Sequence, residues 1–153
     1  MAEPAHGSRY EDSLSYYLGN AESLGVEWPK GTDVSHFYRA VRIGFNVQSA
    51  FTVRQRTHIR AKVFNRVLPR TTLQSRRQAG ARLNPEQSEK VLRIAHAYAR
   101  AAEVFGDQGR GEAWMDREHP ELDGQTPSEL LDTEFGARRI EQILGRIEHG
   151  IVA

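Results

Sequence analysis

The sequence predicts an all-α chain in which a basic N-terminal half and an acidic C-terminal half are joined by one long helix. Three observations carry this. No segment shows the period-two alternation of a half-buried strand, whereas apolar residues recur at spacings of three and four from Val34 to Ile147. Asn84-Pro85-Glu86-Gln87 and Thr126-Pro127-Ser128-Glu129 each place an N-cap residue before a proline and a side chain able to complete a capping box. Charge reverses near residue 82: up to Arg82 there are 13 Lys or Arg against 6 Asp or Glu, and from Leu83 onward 8 against 14, which leaves a net +1. The two halves therefore suit different partners.

Residues 1–31 are rich in Gly, Ser, Glu and Pro, yet include Tyr10, Leu14, Tyr16, Tyr17, Leu18 and Trp28. They are expected to form a partly ordered arm whose aromatics either pack on the following domain or stack on bases. Asp33 is the expected cap of a helix burying Val34, Phe37, Val41 and Tyr38, ended by Gly44. After Asn46 a short helix uses Val47, Ala50, Phe51 and Val53; Thr57 is then expected to cap another, with Ile59, Val63, Phe64 and Val67 as its buried stripe. Pro69 stops that helix by biasing Leu68 toward extended geometry.

The next helix is expected to open with Thr71-Thr72-Leu73-Gln74 as a capping box, to bury Leu73 and to end at Gly80. Two short helices around Leu68-Pro69 make a helix-turn-helix, and the interval from Val34 to Pro85 contains no Asp or Glu. A concentration of one charge sign is most readily tolerated where a polyanion neutralises it. On the second helix Gln74, Ser75, Arg77 and Gln78 are left to face outward: Arg and Gln are types that read base edges, while Ser75 and Arg70, with Arg60 and Arg66, suit phosphates.

Asn84 opens a helix expected to reach Phe105, with Val91, Leu92, Ile94, Ala95, Tyr98, Ala101, Ala102 and Phe105 as its stripe. About 20 helical residues span roughly 30 Å, enough to serve as a spine for both halves. A helix from Gln108 to Glu118 follows, with Trp114 expected in the core because of its apolar area. After the His119 to Gly124 loop and a single turn carrying Leu130 and Leu131, Thr133 caps the last helix. Its expected apolar face is Phe135, Ile140, Ile143, Leu144 and Ile147, and Gly150 ends it.

The six histidines lack the spacing of a metal site, no Gly-rich phosphate loop or nucleophile elbow is present, and there is no cysteine. The expectation is a protein that is not an enzyme and uses no cofactor or metal. No apolar run approaches the roughly 18 residues of a membrane span, and the N-terminus lacks the order of a signal peptide, so a soluble cytoplasmic protein is expected.

The segments PRTTLQSRR, RLNPEQSEKVLRIA and QTPSELLDTEFGARRIEQILGRIEHG, within the last 85 or so residues, resemble the Xre/MbcA/ParS antitoxins that accompany RES-domain toxins. The resemblance implies a helix-turn-helix that represses its own operon by binding operator DNA, and a C-terminal helical domain that binds the toxin. RES toxins are NAD-consuming enzymes with an ADP-ribosyltransferase-like fold, blocked by the C-terminal end of the antitoxin, and family members self-associate as homodimers or larger. Where the family motif has one threonine this chain has two, so either Thr71 or Thr72 can face a groove. The expected division is 1–31 as arm, 32–82 as DNA-binding domain, and 83–153 as toxin-binding and self-association domain.

At the C-terminus Ile151 has no apolar partner at Arg146 or Gly145, so Ile151 and Val152 either tuck into the core, simply dangle, or await a partner. The resemblance favours the partner and implies a toxin-binding end of Arg146, Glu148, His149, Gly150, Ile151, Val152 and Ala153. A plain regulator whose C-terminal domain only dimerises is the alternative, and a toxin-binding scaffold without DNA affinity is a third.

Overall fold

A computed structural model describes residues 8–19, 24–25 and 37–150. The expectations for Asp33, Val34 and Trp28, and for Ile151 to Ala153, lie outside the described residues. The elements are α1 (Ser8–Leu18), α2 (Phe37–Ile43), α3 (Gln48–Thr57), α4 (Ala61–Val67), α5 (Arg70–Gln78), α6 (Pro85–Phe105), α7 (Gln108–Met115), a 3-10 turn (Pro120–Leu122), a 3-10 helix (Pro127–Asp132) and α8 (Glu134–Glu148). No strand occurs among the described residues.

Helix α6 is the axis, and α1, α2, α3, α7 and α8 all pack on it. Its start is fixed as the sequence dictates: Asn84 Oδ1 accepts the Gln87 N–H at 2.8 Å while Gln87 Oε1 accepts the Asn84 N–H at 2.9 Å. Alanines 95, 97, 99, 101 and 102 are buried along with Val91, Ile94 and Tyr98, so neighbours approach it from several sides. The core is continuous across both halves, from Leu14, Tyr17 and Leu18 of α1 through Phe64 of α4 to Ile140, Ile143 and Leu144 of α8. Within the arm, α1 is thus a core helix, fixed by Tyr17, which donates to Glu112 at 2.8 Å, and by the Tyr10 hydroxyl bonded to His96 Nδ1.

Gly44 ends α2 at φ +97°, where a Cβ would lie 2.2 Å from the Leu83 carbonyl oxygen. Only glycine lets these segments meet. The meeting is secured by Leu83 N–H to Phe45 O at 2.9 Å and Phe45 N–H to Ser88 Oγ at 2.9 Å.

Several local expectations are corrected. Thr57 does not cap α4. It is the last residue of α3, and its hydroxyl bonds back to Val53 O at 2.6 Å while His58 takes a left-handed conformation. The Thr71–Gln74 box does not form, because Pro69 already ends the turn and Arg70 is the first helical residue, with Thr72 and Leu73 N–H groups bonding Pro69 O. Tyr38 is 49% exposed. Helix α7 stops at Met115, earlier than Glu118. Phe135 is 83% exposed and Ile147 42%, so the buried face of α8 is Ile140, Ile143 and Leu144. At 100° per residue Phe135 falls about 180° from Leu144, which puts it on the opposite side of the helix. Ile147 is in phase but sits in the last turn.

Trp114 is buried as expected, with its ring 5.8 Å from Phe105 and 5.1 Å from His119. Thr126 and Glu129 form the second expected capping box, which opens the 3-10 helix.

Candidate functional site

Two surfaces carry the sequence-predicted residues. The first is α5, which follows α4 after the Leu68-Pro69 turn, with Leu68 extended at φ −131° and ψ 100°. Leu73 anchors α5, 1% exposed. Arg70, Thr71, Gln74, Ser75, Arg77 and Gln78 are exposed, whereas Thr72 is half-buried. Arg77 stacks its guanidinium 5.5 Å from the Phe51 ring centre, and Arg54 stacks 6.0 Å from the same ring, so α3 orients a cation of α5.

Much of the basic run is engaged inside the molecule. Arg60 pairs with Asp116 at 3.0 Å and Arg66 with Asp132 at 3.0 Å, and His58 Nδ1 lies 3.1 Å from Glu112. These three contacts join the basic half to the acidic half, so part of the charge asymmetry is absorbed within the fold. Arg56 lies 5.2 Å from the Tyr16 ring centre, while Arg82 bonds Gly44 O and Arg76 bonds Arg82 O. Among the described residues no carboxylate pairs with Lys62, Arg70 or Arg77. The structure thus leaves Arg70 and Arg77 available on α5 and holds Arg60 and Arg66 against acidic partners. Phe51 and Arg54 were missed by sequence reasoning, because their link to Arg77 is tertiary.

The second surface is the end of α8. Its inner side is locked by Arg100 of α6, which donates to Glu103 at 2.7 Å, Glu141 at 2.9 Å and Glu148 at 2.6 Å. The Arg100 hydrogen bond holds the Glu148 carboxyl below the usual carboxylate range. Against its desolvation, the same hydrogen bonds keep Arg100 firmly charged. Glu148 therefore turns inward. On the outer side Arg146 and Arg139 share Glu121, which donation by Arg146 holds below the usual carboxylate range. Arg139, Gln142, Gly145, Arg146 and His149 line a shallow groove there. Gly150 follows at φ +67°, its N–H bonded to Ile147 O at 3.1 Å, as expected of a left-handed cap. The outer face is thus lined with arginines even though this half of the chain is acidic overall.

Among the described residues no group of three or more His, Asp or Glu side chains forms a metal site, and no helix is long and apolar enough to cross a membrane.

Comparison with known proteins assigns α5 and α8 to two different matched domains. Residues 36–96 match the Antitoxin Xre-like helix-turn-helix domain, and residues 100–150 match the Antitoxin Xre/MbcA/ParS C-terminal toxin-binding domain. The chain is 30% identical over 115 residues to Antitoxin Xre of Yersinia enterocolitica, covering 73% of this chain and 78% of that protein. It is 31% identical over 86 residues to Antitoxin Xre of Pseudomonas putida, covering 56% and 54% respectively. Antitoxin Xre of Photorhabdus laumondii is 37% identical over 81 residues, covering 52% and 55%. The all-α chain, with its helix-turn-helix followed by a C-terminal toxin-binding domain, belongs to the Xre/MbcA/ParS family of antitoxins.

Proposed function

We propose that this antitoxin acts on two partners: it represses its own operon through α5, and it neutralises a RES-domain, NAD-consuming toxin by covering the toxin's active site with the end of α8 and residues 150–153. Residues 32–82 form the DNA-binding unit and residues 83–153 the toxin-binding and self-association unit, with 1–31 contributing α1 to the shared core. It works in the cytoplasm as a homodimer or larger assembly, which presents two copies of α5 to a two-fold operator.

The observation that supports DNA binding is that α5 buries Leu73 alone and exposes Arg70, Thr71, Gln74, Ser75, Arg77 and Gln78. Arg77 reads a guanine, Gln74 or Gln78 an adenine, and Arg70, Thr71 and Ser75 hold phosphates. Thr72 supports the turn. Arg60 and Arg66 reach phosphates only by exchanging Asp116 and Asp132 for DNA oxygens. On the toxin side Arg146 and His149 meet the rim of the NAD cleft, residues 150–153 enter it, and Glu148 fixes the angle at which the helix end arrives.

The test is a gel shift on the DNA upstream of the gene across a salt series, paired with a toxin NAD-consumption assay at rising antitoxin concentration. The reading expects sequence-selective, salt-dependent DNA binding and stoichiometric loss of NAD consumption. Absence of either removes the corresponding half.

A further inference from the structure

Glycine inside a helix is less favourable than alanine, so each helical glycine calls for a reason. Gly111 has one, since a Cβ there would sit 2.6 Å from the Ala102 nitrogen where α7 crosses α6. Gly136 has one too, since its Cβ would sit 1.9 Å from the Leu130 carbonyl oxygen. Gly145 has none among the described residues: none of their atoms lies within 4 Å of the place its Cβ would occupy.

Gly145 lies on the same outward stripe of α8 as Phe135, Gln142 and His149, at spacings of seven, three and four. The stripe is about 20 Å long. Phe135, the most exposed large apolar side chain among the described residues, stands at one end, and the groove floored by Gly145 lies at the other. Arg139 and Arg146 flank that groove and are both held aside by Glu121, which keeps the glycine notch uncovered.

We infer that this whole face of α8 is the toxin-docking surface: a backbone segment of the toxin lies in the Gly145 notch, Phe135 fills an apolar pocket, and Arg139 and Arg146 meet carboxylates on the partner. Two things argue for the toxin as occupant. The face falls within residues 100–150, which match the toxin-binding domain, and in the sequence it directly precedes residues 150–153, which the proposed function assigns to the toxin. The partner it fits has a small or backbone-only ridge, a pocket for one aromatic ring about three helical turns away, and an acidic border. The glycine serves close approach, and every side chain added there pushes the two backbones apart. This inference rests on the toxin-neutralising reading above and extends the contact well upstream of residue 146.

The experiment co-expresses this chain with a RES-domain toxin and measures co-purification and affinity. Wild type is compared with Gly145→Ala, Gly145→Leu and Phe135→Ala. Thermal melting, DNA binding and oligomeric state are recorded for each. Gly145→Ala is expected to melt slightly higher than wild type yet bind the toxin about tenfold more weakly, Phe135→Ala to melt unchanged with a similar loss, and Gly145→Leu to abolish the complex. Opposite movement of stability and affinity in Gly145→Ala is the signature of a face reserved for a partner. Toxin affinity of Gly145→Leu within twofold of wild type overturns the inference. If that variant also turns a dimer into a monomer, the face belongs to a second copy of this chain. A wild-type chain that fails to bind the toxin at all overturns the functional reading, and this inference with it.

Discussion

Replacing Gly136 by Ala tests how α8 is seated on the rest of the molecule. The added Cβ would lie 1.9 Å from the Leu130 carbonyl oxygen and 2.7 Å from its carbon, so the first turn of α8 has to retreat by roughly 1 Å to reach even 3.0 Å. Backbone cannot give way as a side chain can. The retreat loosens the cap in which Thr133 Oγ accepts the Gly136 N–H at 3.0 Å, worth about 1 kcal/mol. It also strains the packing of Ile140 and Leu131, at about 1–3 kcal/mol by analogy with overpacked cores. Alanine's better helix propensity returns about 1 kcal/mol. The net is about 2 kcal/mol of destabilisation, or roughly 4–8 °C in Tm for a chain of this size. Circular dichroism melts of Gly136→Ala and Gly145→Ala, run side by side, provide the assay. The first should fall and the second should rise by about 2 °C, since only helix propensity acts at the open position. A Gly136→Ala protein that melts at or above wild type refutes the close-approach reasoning at Gly136.

Asp132→Asn releases Arg66 from its 3.0 Å pair and should tighten binding to all DNA sequences alike, with a salt slope steeper by about one unit; unchanged slope in a salt titration means that Arg66 does not meet phosphate. Trp114→Ala should cost about 3–5 kcal/mol, because its ring is buried between Phe105 and His119; urea unfolding that matches wild type would remove it from the core. His96, which faces Tyr10, Glu141, Arg100 and Glu103 and keeps about half of its side chain exposed, is held below its ordinary 6.5 by partial desolvation, with Glu141 opposing, so its effect on stability is small. The unfolded chain therefore takes up that proton first, and stability should decline as pH falls through 6.5 toward the lowered folded value. The His96→Gln protein should lose that part of the pH dependence, and a Tm profile between pH 7.5 and 5.5 identical to wild type contradicts it.

The helix starts at Asn84 and Thr126 were legible because their signals are local: a cap residue, a proline and a reciprocal side chain within four positions. The same local logic failed at Thr71, where the helix starts at Arg70 with Pro69 in the cap position, two residues earlier than expected, and leaves the hydroxyl no cap position. It failed at Thr57 because a hydroxyl can also bond back to the carbonyl four residues earlier. The core of α6 was half legible. Val91, Ile94 and Tyr98 announce themselves by period, but buried alanines at 97 and 99 carry no pattern until neighbouring helices are placed. Phe135 joined the wrong stripe because apolar character was weighed above its phase. At the candidate sites α5 was readable from side-chain type, whereas the pairing of Arg60 and Arg66 with Asp116 and Asp132 links residues 56 and 66 positions apart. Gly136 and Gly145 are the same letter on one helix, and only the space around each tells a packing contact from an open notch.

The proposed function requires two separable surfaces on one small helical antitoxin, α5 for operator DNA and the outer end of α8 for the toxin. It is tested most directly in cells that carry the RES toxin under induction and a reporter behind the antitoxin's own promoter, with growth and reporter output read from the same culture. Arg77→Ala should restore growth like wild type while losing repression, because a lost base contact costs about 1–3 kcal/mol at the operator and nothing at the toxin. Deletion of residues 150–153 should keep repression while failing to restore growth. If both variants at wild-type abundance lose both readouts together, or if the truncated protein rescues growth fully, the two-surface account is contradicted.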